Sequence, residues 1–201
     1  MKNNIIGRKS EQDTLAHIFE SRQSEFVAVC GRRRVGKTFL VREYFEQEMV
    51  FQTSGLAGGN TQEQLKNFFY TLRRYDRNVT SVPHDWIDAF EMLITYLDSL
   101  NGIERKVVFL DELPWMDTAG SNFISALEHF WNGWASARRD IVLIVCGSAT
   151  SWMMDKLVNN HGGLYGRLTH RLLLQPFSLG ESEAFLKTKG MMLSRYEMAE
   201  L

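Results

Sequence analysis

The sequence predicts an α/β fold: a three-layer arrangement around a mainly parallel five-stranded sheet. Three observations lead there. Short apolar runs occur without alternation, helical patterns lie between them, and the first run ends in a glycine-bearing basic loop. Apolar runs that lack a period of two suit strands buried on both faces, as in parallel sheets whose crossovers are helices.

Taken in order, Ser10 is placed to cap a first helix that carries Leu15, Ile18 and Phe19 on one face, with Asp13 in its first turn. The first strand is Phe26 to Cys30, and further strands are expected at Val50 to Gln52, Val107 to Leu110, Ile141 to Val145 and Leu172 to Leu174. Helical patterns fill the intervals: Thr38 to Gln47, Gln62 to Arg74, Asp85 to Leu100, Asn122 to Ala137, and a shorter one after Ala149. Tyr75 to His84 contains Pro83 and reads as a connection between two helices, while Asn159 to Gly166 reads as a flexible glycine loop. Ser178 and Glu181 stand at capping-box spacing, so a last helix is expected to start near Leu179, and Met191 to Leu201 is helix-compatible.

Composition bounds the functional classes. The 201 residues, 44% hydrophobic and 23% charged, suffice for one main domain with a sizeable core. A formal net charge of -1 gives no global positive field to gather nucleic acid, so any such contact is local. There is no signal-peptide pattern and no run of eighteen apolar residues, so the expectation is a cytoplasmic protein with no membrane partner. Two cysteines, Cys30 and Cys146, make no disulfide framework and no zinc motif, and the five histidines make no HExxH.

Gly31 to Thr38 reads Gly-Arg-Arg-Arg-Val-Gly-Lys-Thr, a complete GxxxxGK[ST] loop between a strand and a helix. Glycines let such a loop curl so that successive N–H groups point at phosphate oxygens, and the following helix N-terminus adds positive charge. Lys37 would reach the β and γ phosphates of a nucleoside triphosphate, and the Thr38 hydroxyl would join the shell of Mg²⁺. Arg32, Arg33 and Arg34 fill variable positions, with solvated rim or backbone spacing as the default role. The nucleotide-contacting stretch is assigned to Gly31, Arg34, Val35, Gly36, Lys37, Thr38 and Phe39.

The strand Val107 to Leu110 delivers Asp111 and Glu112 at its C-terminal end, where open parallel sheets place their ligands. Asp111 would hold Mg²⁺ together with Thr38, and Glu112 would orient and deprotonate the attacking water. Ile141 to Val145 leads to Cys146-Gly147-Ser148, where Ser148 is a candidate to touch the γ-phosphate or the water; the alternative is a helix N-cap.

Together with Ile5-Ile6-Gly7-Arg8 and Glu11, the run Phe109 to Trp115, and Tyr165-Gly166-Arg167 leading to Pro176-Phe177-Ser178, these motifs make the chain resemble the archaeal-type P-loop ATPases, related to AAA+ and STAND ATPases. The resemblance runs from Ile5 to about Glu183. It implies a P-loop NTPase fold with strand order 5-1-4-3-2, an adenine pocket lined by the backbone around Ile6 and Gly7, and an Arg167 acting on a neighbouring subunit's γ-phosphate. A structural ion pair or a surface position is the alternative for Arg167. Residues 1–177 are then the ATPase core and 178–201 the start of a C-terminal helical lid. The natural chain is expected to run past Leu201, and DNA binding would need a domain beyond these residues.

Strands 1 and 4 being neighbours, Cys30 and Cys146 would lie close together beneath the phosphate site. They are read as two buried thiols, with a redox-sensitive pair as the alternative. The leading function is Mg²⁺-dependent ATP hydrolysis that drives a conformational change in a larger multidomain protein. The alternative is an ATP- or ADP-gated switch with negligible turnover. A P-loop kinase is disfavoured by the adjacent carboxylates, and the absence of NKxD favours ATP over GTP. Trp86, Phe90, Trp131 and Trp134 sit among apolar neighbours and are assigned to core packing rather than base stacking.

Overall fold

A computed structural model of the chain describes residues 5–158, 163–191 and 197. Five strands, β1 (Glu25–Gly31), β2 (Met49–Ser54), β3 (Lys106–Asp111), β4 (Ile141–Gly147) and β5 (His170–Leu174), form one sheet in the order β2-β3-β4-β1-β5. Every pairing is parallel. Counted from the other edge this is the expected 5-1-4-3-2. Each of β1, β3 and β4 is buried along its whole length, which is why these segments carry no alternation.

Alternate residues of the same strands feed two separate cores. On one face, Val27, Val29, Phe109 and Ile144 pack against α1 (Lys9–Glu20) and α2 (Lys37–Tyr44) through Leu15, Ile18, Leu40 and Val41. On the other, Phe26, Ala28, Val108 and Leu143 meet α3 (Thr61–Tyr75), α4 (Trp86–Ser99) and α6 (Phe123–Gly133). Aromatic rings fill this second core: Phe90 stacks on Phe130 at 5.1 Å, and Trp86 meets Phe123 edge-on at 4.8 Å. Trp131 packs on Phe26 at 4.9 Å, so the tryptophans and Phe90 take the packing role expected of them. Truncating a ring here costs about 3–5 kcal/mol through lost transfer energy and the cavity left behind.

The first helix departs from expectation. It starts at Lys9, and Ser10 lies inside its first turn with its carbonyl accepting from Thr14 Oγ1. Gly7 and Arg8 both take left-handed conformations, with φ of 65° and 54°. The Arg8 carbonyl already accepts the first helical bond from Gln12, so the chain has turned before Ser10 can cap it. The carboxylate of the first turn is therefore Glu11 rather than Asp13. A short helix, α5 (Leu113–Met116), follows directly on the acidic pair and has no counterpart in the sequence reading. After α7 (Thr150–Met153) a π-helical turn covers Met154–Val158. Half of the expected glycine loop, residues 159–162, and most of the segment Met191 to Leu201 lie outside the described residues.

The last helix, α8 (Leu179–Thr188), begins at a capping box. Glu181 N donates to Ser178 Oγ at 3.3 Å, and Ser178 N donates to Glu181 Oε2 at 2.9 Å. No residue of α8 is buried. Among the described residues no helix is long and apolar enough to cross a membrane.

The cysteines are neighbours in the sheet but do not face each other. Cys146 pairs in register with Val29, and Cys30 with Gly147. That one-residue offset sends Cys30 into the core under α3, α4 and α6 and Cys146 into the core under α1 and α2. Both are free thiols, and burial raises each above the usual thiol range. The redox-pair alternative is thereby excluded, and the buried-thiol reading stands.

Candidate functional site

The C-terminal ends of β1, β3 and β4 bring together the loop before α2, the acidic pair and the serine. The loop is shaped by backbone conformations that few residues tolerate: φ is 146° at Gly31, 67° at Arg34 and 90° at Gly36. A Cβ on Gly31 would lie 2.4 Å from the carbonyl oxygen of Leu174 on β5, so glycine is required there on space as well as on φ. Gly36 is the residue from which α2 starts.

Lys37 is buried, and its Nζ donates to the carbonyls of Gly31 at 2.9 Å and Arg32 at 2.8 Å. The ammonium is thereby held over the inside of the loop, compensated by two carbonyl dipoles. Thr38 Oγ1 donates to Asp111 Oδ2 at 2.9 Å, while Asp111 Oδ1 accepts from Glu112 N at 3.0 Å. Asp111 is almost fully buried at the end of β3. A hydroxyl and a carboxylate therefore converge beside the lysine.

Glu112 turns away from the strand in a left-handed conformation, φ 46°, and starts α5. Its Oε2 accepts from Ser148 Oγ at 3.2 Å and from Ser148 N at 3.4 Å. Gly147 makes this approach possible, because a Cβ there would meet Pro114 Cδ of α5 at 2.8 Å. Ser148 thus contacts the carboxylate beside the phosphate loop. Arg33, Arg34, Gly36, Lys37, Thr38, Phe39 and Glu112 line the open cavity above the loop.

A second cavity of about 550 Å³ adjoins it and is largely apolar. Ile5, Ile6, Val35, Phe39 and Leu40 form one side, and Pro176, Phe177 and Phe185 the other, with Arg34 and Gly36 at its junction with the loop. The volume falls within the range of small-ligand pockets, roughly 300–1,000 Å³. Gly7 adds backbone rather than lining: its carbonyl accepts from Gln12 Nε2 at 2.8 Å.

Arg8 joins the walls of this cavity, and the sequence reading did not include it among the site residues. Its backbone N donates to Glu181 Oε1 of α8 at 2.8 Å, its Nη2 donates to the Val35 carbonyl at 3.1 Å, and its guanidinium lies 4.6 Å from the centre of the Phe177 ring. The hydrogen bond from the Arg8 backbone, with further ones from Ser178, holds the Glu181 carboxyl below its ordinary range. Gly7 holds φ 65°, which favours glycine, and a Cβ there would lie 2.6 Å from Glu181 Oε1, so a larger residue would displace the end of that side chain. The signal was present as Gly7-Arg8, but the partners lie 27 and 173 residues away and leave no local pattern.

Arg167 is not brought to this site. It is exposed in the turn before β5, its backbone N bonds to the Leu164 carbonyl, and it has no ion pair with a described residue. No group of three or more His, Cys, Asp or Glu among the described residues could by itself hold a metal ion. Thr38 and Asp111 offer two oxygen ligands, which suits a hard cation completed by phosphate and water oxygens.

The comparisons agree with this fold. The model of a family described as the ATPase domain predominantly from Archaea matches residues 6–198. A curated protein of Methanocaldococcus jannaschii, itself uncharacterised, is 25% identical over 181 residues, 90% of this chain and 38% of its own length. Among solved structures, a Walker-type ATPase of Pyrococcus abyssi superimposes with a TM-score of 0.69 at 18% identity, covering 98% of this chain and 62% of that one. The ORC2 protein of Aeropyrum pernix, solved as ADPNP–ADP complexes, gives 0.61 at 19% identity, with 94% and 54% covered. Drosophila ORC bound to DNA gives 0.62 at 15%, with 94% and 47% covered. At these identities the structures establish the fold, and the chain spans less than two thirds of each relative's length. The match of the family model to nearly the whole chain makes the assignment: this protein belongs to the family of ATPase domains found predominantly in Archaea.

Proposed function

We propose that the chain binds ATP with Mg²⁺ and hydrolyses it in the cytoplasm, and that turnover drives a conformational change in a larger multidomain protein. The observation that carries this reading is the pair of contacts beside Lys37: Thr38 Oγ1 to Asp111 Oδ2 at 2.9 Å and Ser148 Oγ to Glu112 Oε2 at 3.2 Å. Binding of ADPNP and ADP by the Aeropyrum pernix protein of the same fold supports the choice of nucleotide.

In this reading the backbone N–H groups from Gly31 to Thr38 cradle the phosphates, and Lys37 exchanges its loop carbonyls for phosphate oxygens. Thr38 and Asp111 would hold Mg²⁺, which when bound neutralises charge on the phosphate oxygens. Glu112 accepts the proton of the attacking water, and Ser148 keeps its carboxylate oriented for that task. The apolar cavity between Ile6, Val35 and Phe39 and the Phe177 side takes the base. Residues 1–177 form the catalytic core and α8 opens a lid whose position is sensed through Arg8 and Glu181. Arg167, exposed and without an ion pair to a described residue, is available to a neighbouring copy in a homo-oligomer. DNA contact is left to the parts by which the relatives exceed this chain.

Glu112→Gln tests the assignment. ATP affinity should stay within roughly twofold while phosphate release falls by a factor of about 100 or more, the scale expected on losing a general base. Undiminished release would remove Glu112 from the chemistry. A second reading is favoured by the two hydrogen bonds that already engage Glu112: a nucleotide-gated switch in which the carboxylate is held back from water. Retained nucleotide with negligible release from the wild type would select it.

A further inference from the structure

A cavity of about 290 Å³ opens at the free edge of the sheet, beside β2 and between α2 and α3. Its wall has a uniform chemistry. Arg42 from α2 and Arg74 from the last turn of α3 supply two guanidinium groups, and Ser54, Thr71 and Tyr75 supply hydroxyls. No carboxylate lines it.

Two further observations concern the hydrogen bonding of the wall. Gln52 Oε1 accepts from Arg42 Nε at 3.0 Å, which fixes the guanidinium plane and leaves its outer nitrogens available. Neither Arg42 nor Arg74 is ion-paired with a described residue. Thr53, also in the wall, is only 6% exposed, and its hydroxyl has no hydrogen-bond partner among the described residues. A buried hydroxyl without a partner is uncommon enough in folded proteins to need a reason.

We propose that this cavity is a second oxyanion site, separate from the phosphate loop, that takes inorganic phosphate or a small phosphate monoester. Paired guanidinium groups match phosphate oxygens in geometry and charge, and hydroxyl and amide donors complete the shell. The volume sits at the lower bound for small-molecule pockets, about 300 Å³, which admits a phosphate with a small substituent and not a nucleoside triphosphate. The site also has a route to the nucleotide end of the sheet. Arg42 stands one helical turn beyond Thr38 on α2, and Ser54 pairs in register with Asp111. An anion held by Arg42 and Ser54 therefore bears on both elements that carry the Thr38–Asp111 contact.

The test is calorimetric titration of the 201-residue chain with inorganic phosphate and, separately, phenyl phosphate. Lys37→Ala removes the principal phosphate ligand of the loop, so the edge site is read whether or not the loop binds nucleotide. In that background one equivalent of phosphate should still bind, and adding Arg42→Gln with Arg74→Gln should weaken it by at least roughly tenfold, as loss of charge-assisted contacts implies. Arg74→Gln alone, at an exposed position with an unchanged melting temperature, should give part of that loss and guards against a folding artefact. Tighter binding of phenyl phosphate assigns the site to monoesters, and tighter binding of inorganic phosphate assigns it to the free anion. No binding in Lys37→Ala, or binding indifferent to both arginines, overturns the proposal. So does a short oligonucleotide that outcompetes both small ligands in an arginine-dependent way, since that would make the wall a nucleic-acid contact.

Discussion

The two ends of the sheet use charge in opposite ways. At the C-terminal ends of the strands, Lys37, Asp111 and Glu112 meet backbone groups and hydroxyls, and four residues there, Gly31, Arg34, Gly36 and Glu112, are held at positive φ. At the N-terminal ends several charges pair with one another. Lys106 at the start of β3 pairs with Asp140 at 3.0 Å, Arg138 grips Asp140 with two nitrogens at 2.8 Å, and the same guanidinium reaches Asp98 at 2.6 Å. Arg105 donates to the carbonyls of Ile18, Gln23 and Arg139, tying the end of α1 to the loops before β1 and β4. One end keeps strained backbone and charges held by backbone groups and hydroxyls around the proposed ligand site, and the other closes charges into a clamp. In the proposed function the same strands carry catalysis at one end and stability at the other.

The largest effect that would break this division is at Gly31. Alanine there combines a φ of 146° with a Cβ 2.4 Å from the Leu174 carbonyl, so either the loop or the β1–β5 pairing must shift. Nucleotide affinity, measured with a fluorescent ATP analogue, should fall by more than roughly a hundredfold, the cost of a strained conformation that nothing can relieve. Arg105→Ala should do the reverse. It removes three charge-assisted bonds to carbonyls and should lower unfolding stability in urea by about 2–3 kcal/mol. Its nucleotide affinity should be unchanged; a change in affinity would show that the two ends are not independent.

Smaller, and confined to the ligand end, is Ser148→Ala. The substitution keeps the backbone N–H contact to Glu112 and removes the hydroxyl contact at 3.2 Å. Phosphate release should drop by roughly tenfold, about 1.4 kcal/mol in barrier, with ATP affinity intact. A role for Ser148 through Glu112 further requires that Ser148→Ala have almost no additional effect in a Glu112→Gln background. Additive losses would mean that Ser148 acts on the nucleotide directly.

The ligand end was largely legible in the sequence, because its residues sit in contiguous motifs whose spacing is fixed by one turn or one strand end. Gly31 to Thr38, Asp111 with Glu112, and Ser148 each lie at a strand terminus that apolar runs already marked. What was not legible depends on long-range register. Cys30 and Cys146 were expected close together beneath the phosphate site, and they do sit on neighbouring strands, but the pairing of Cys146 with Val29 puts their side chains on opposite faces. The contacts of Arg8 with Val35, Phe177 and Glu181 join three distant segments through one side chain. The clamp at the other end was invisible for the same reason: Arg105, Lys106, Arg138 and Asp140 look like solvated loop charges until the strands are aligned.

The smallest effect tests that clamp by pH. The hydrogen bonds from Arg138, with a further contribution from Lys106, hold the Asp140 carboxyl down at about 2, below its ordinary 3.8. Because the folded state lowers this value, the carboxylate stabilises the fold fully above the unfolded value and loses that contribution as pH falls through the folded one. With its partly exposed setting screening the pair, the contribution should be on the order of 1 kcal/mol. Urea unfolding of wild type and Asp140→Asn should therefore differ by that amount near neutral pH, and the gap should narrow as pH falls from about 4 towards about 2. A gap that stays constant over this interval would mean that Asp140 contributes through packing or neutral hydrogen bonding, and the clamp would then rest on Arg105 and the Arg138–Asp98 pair.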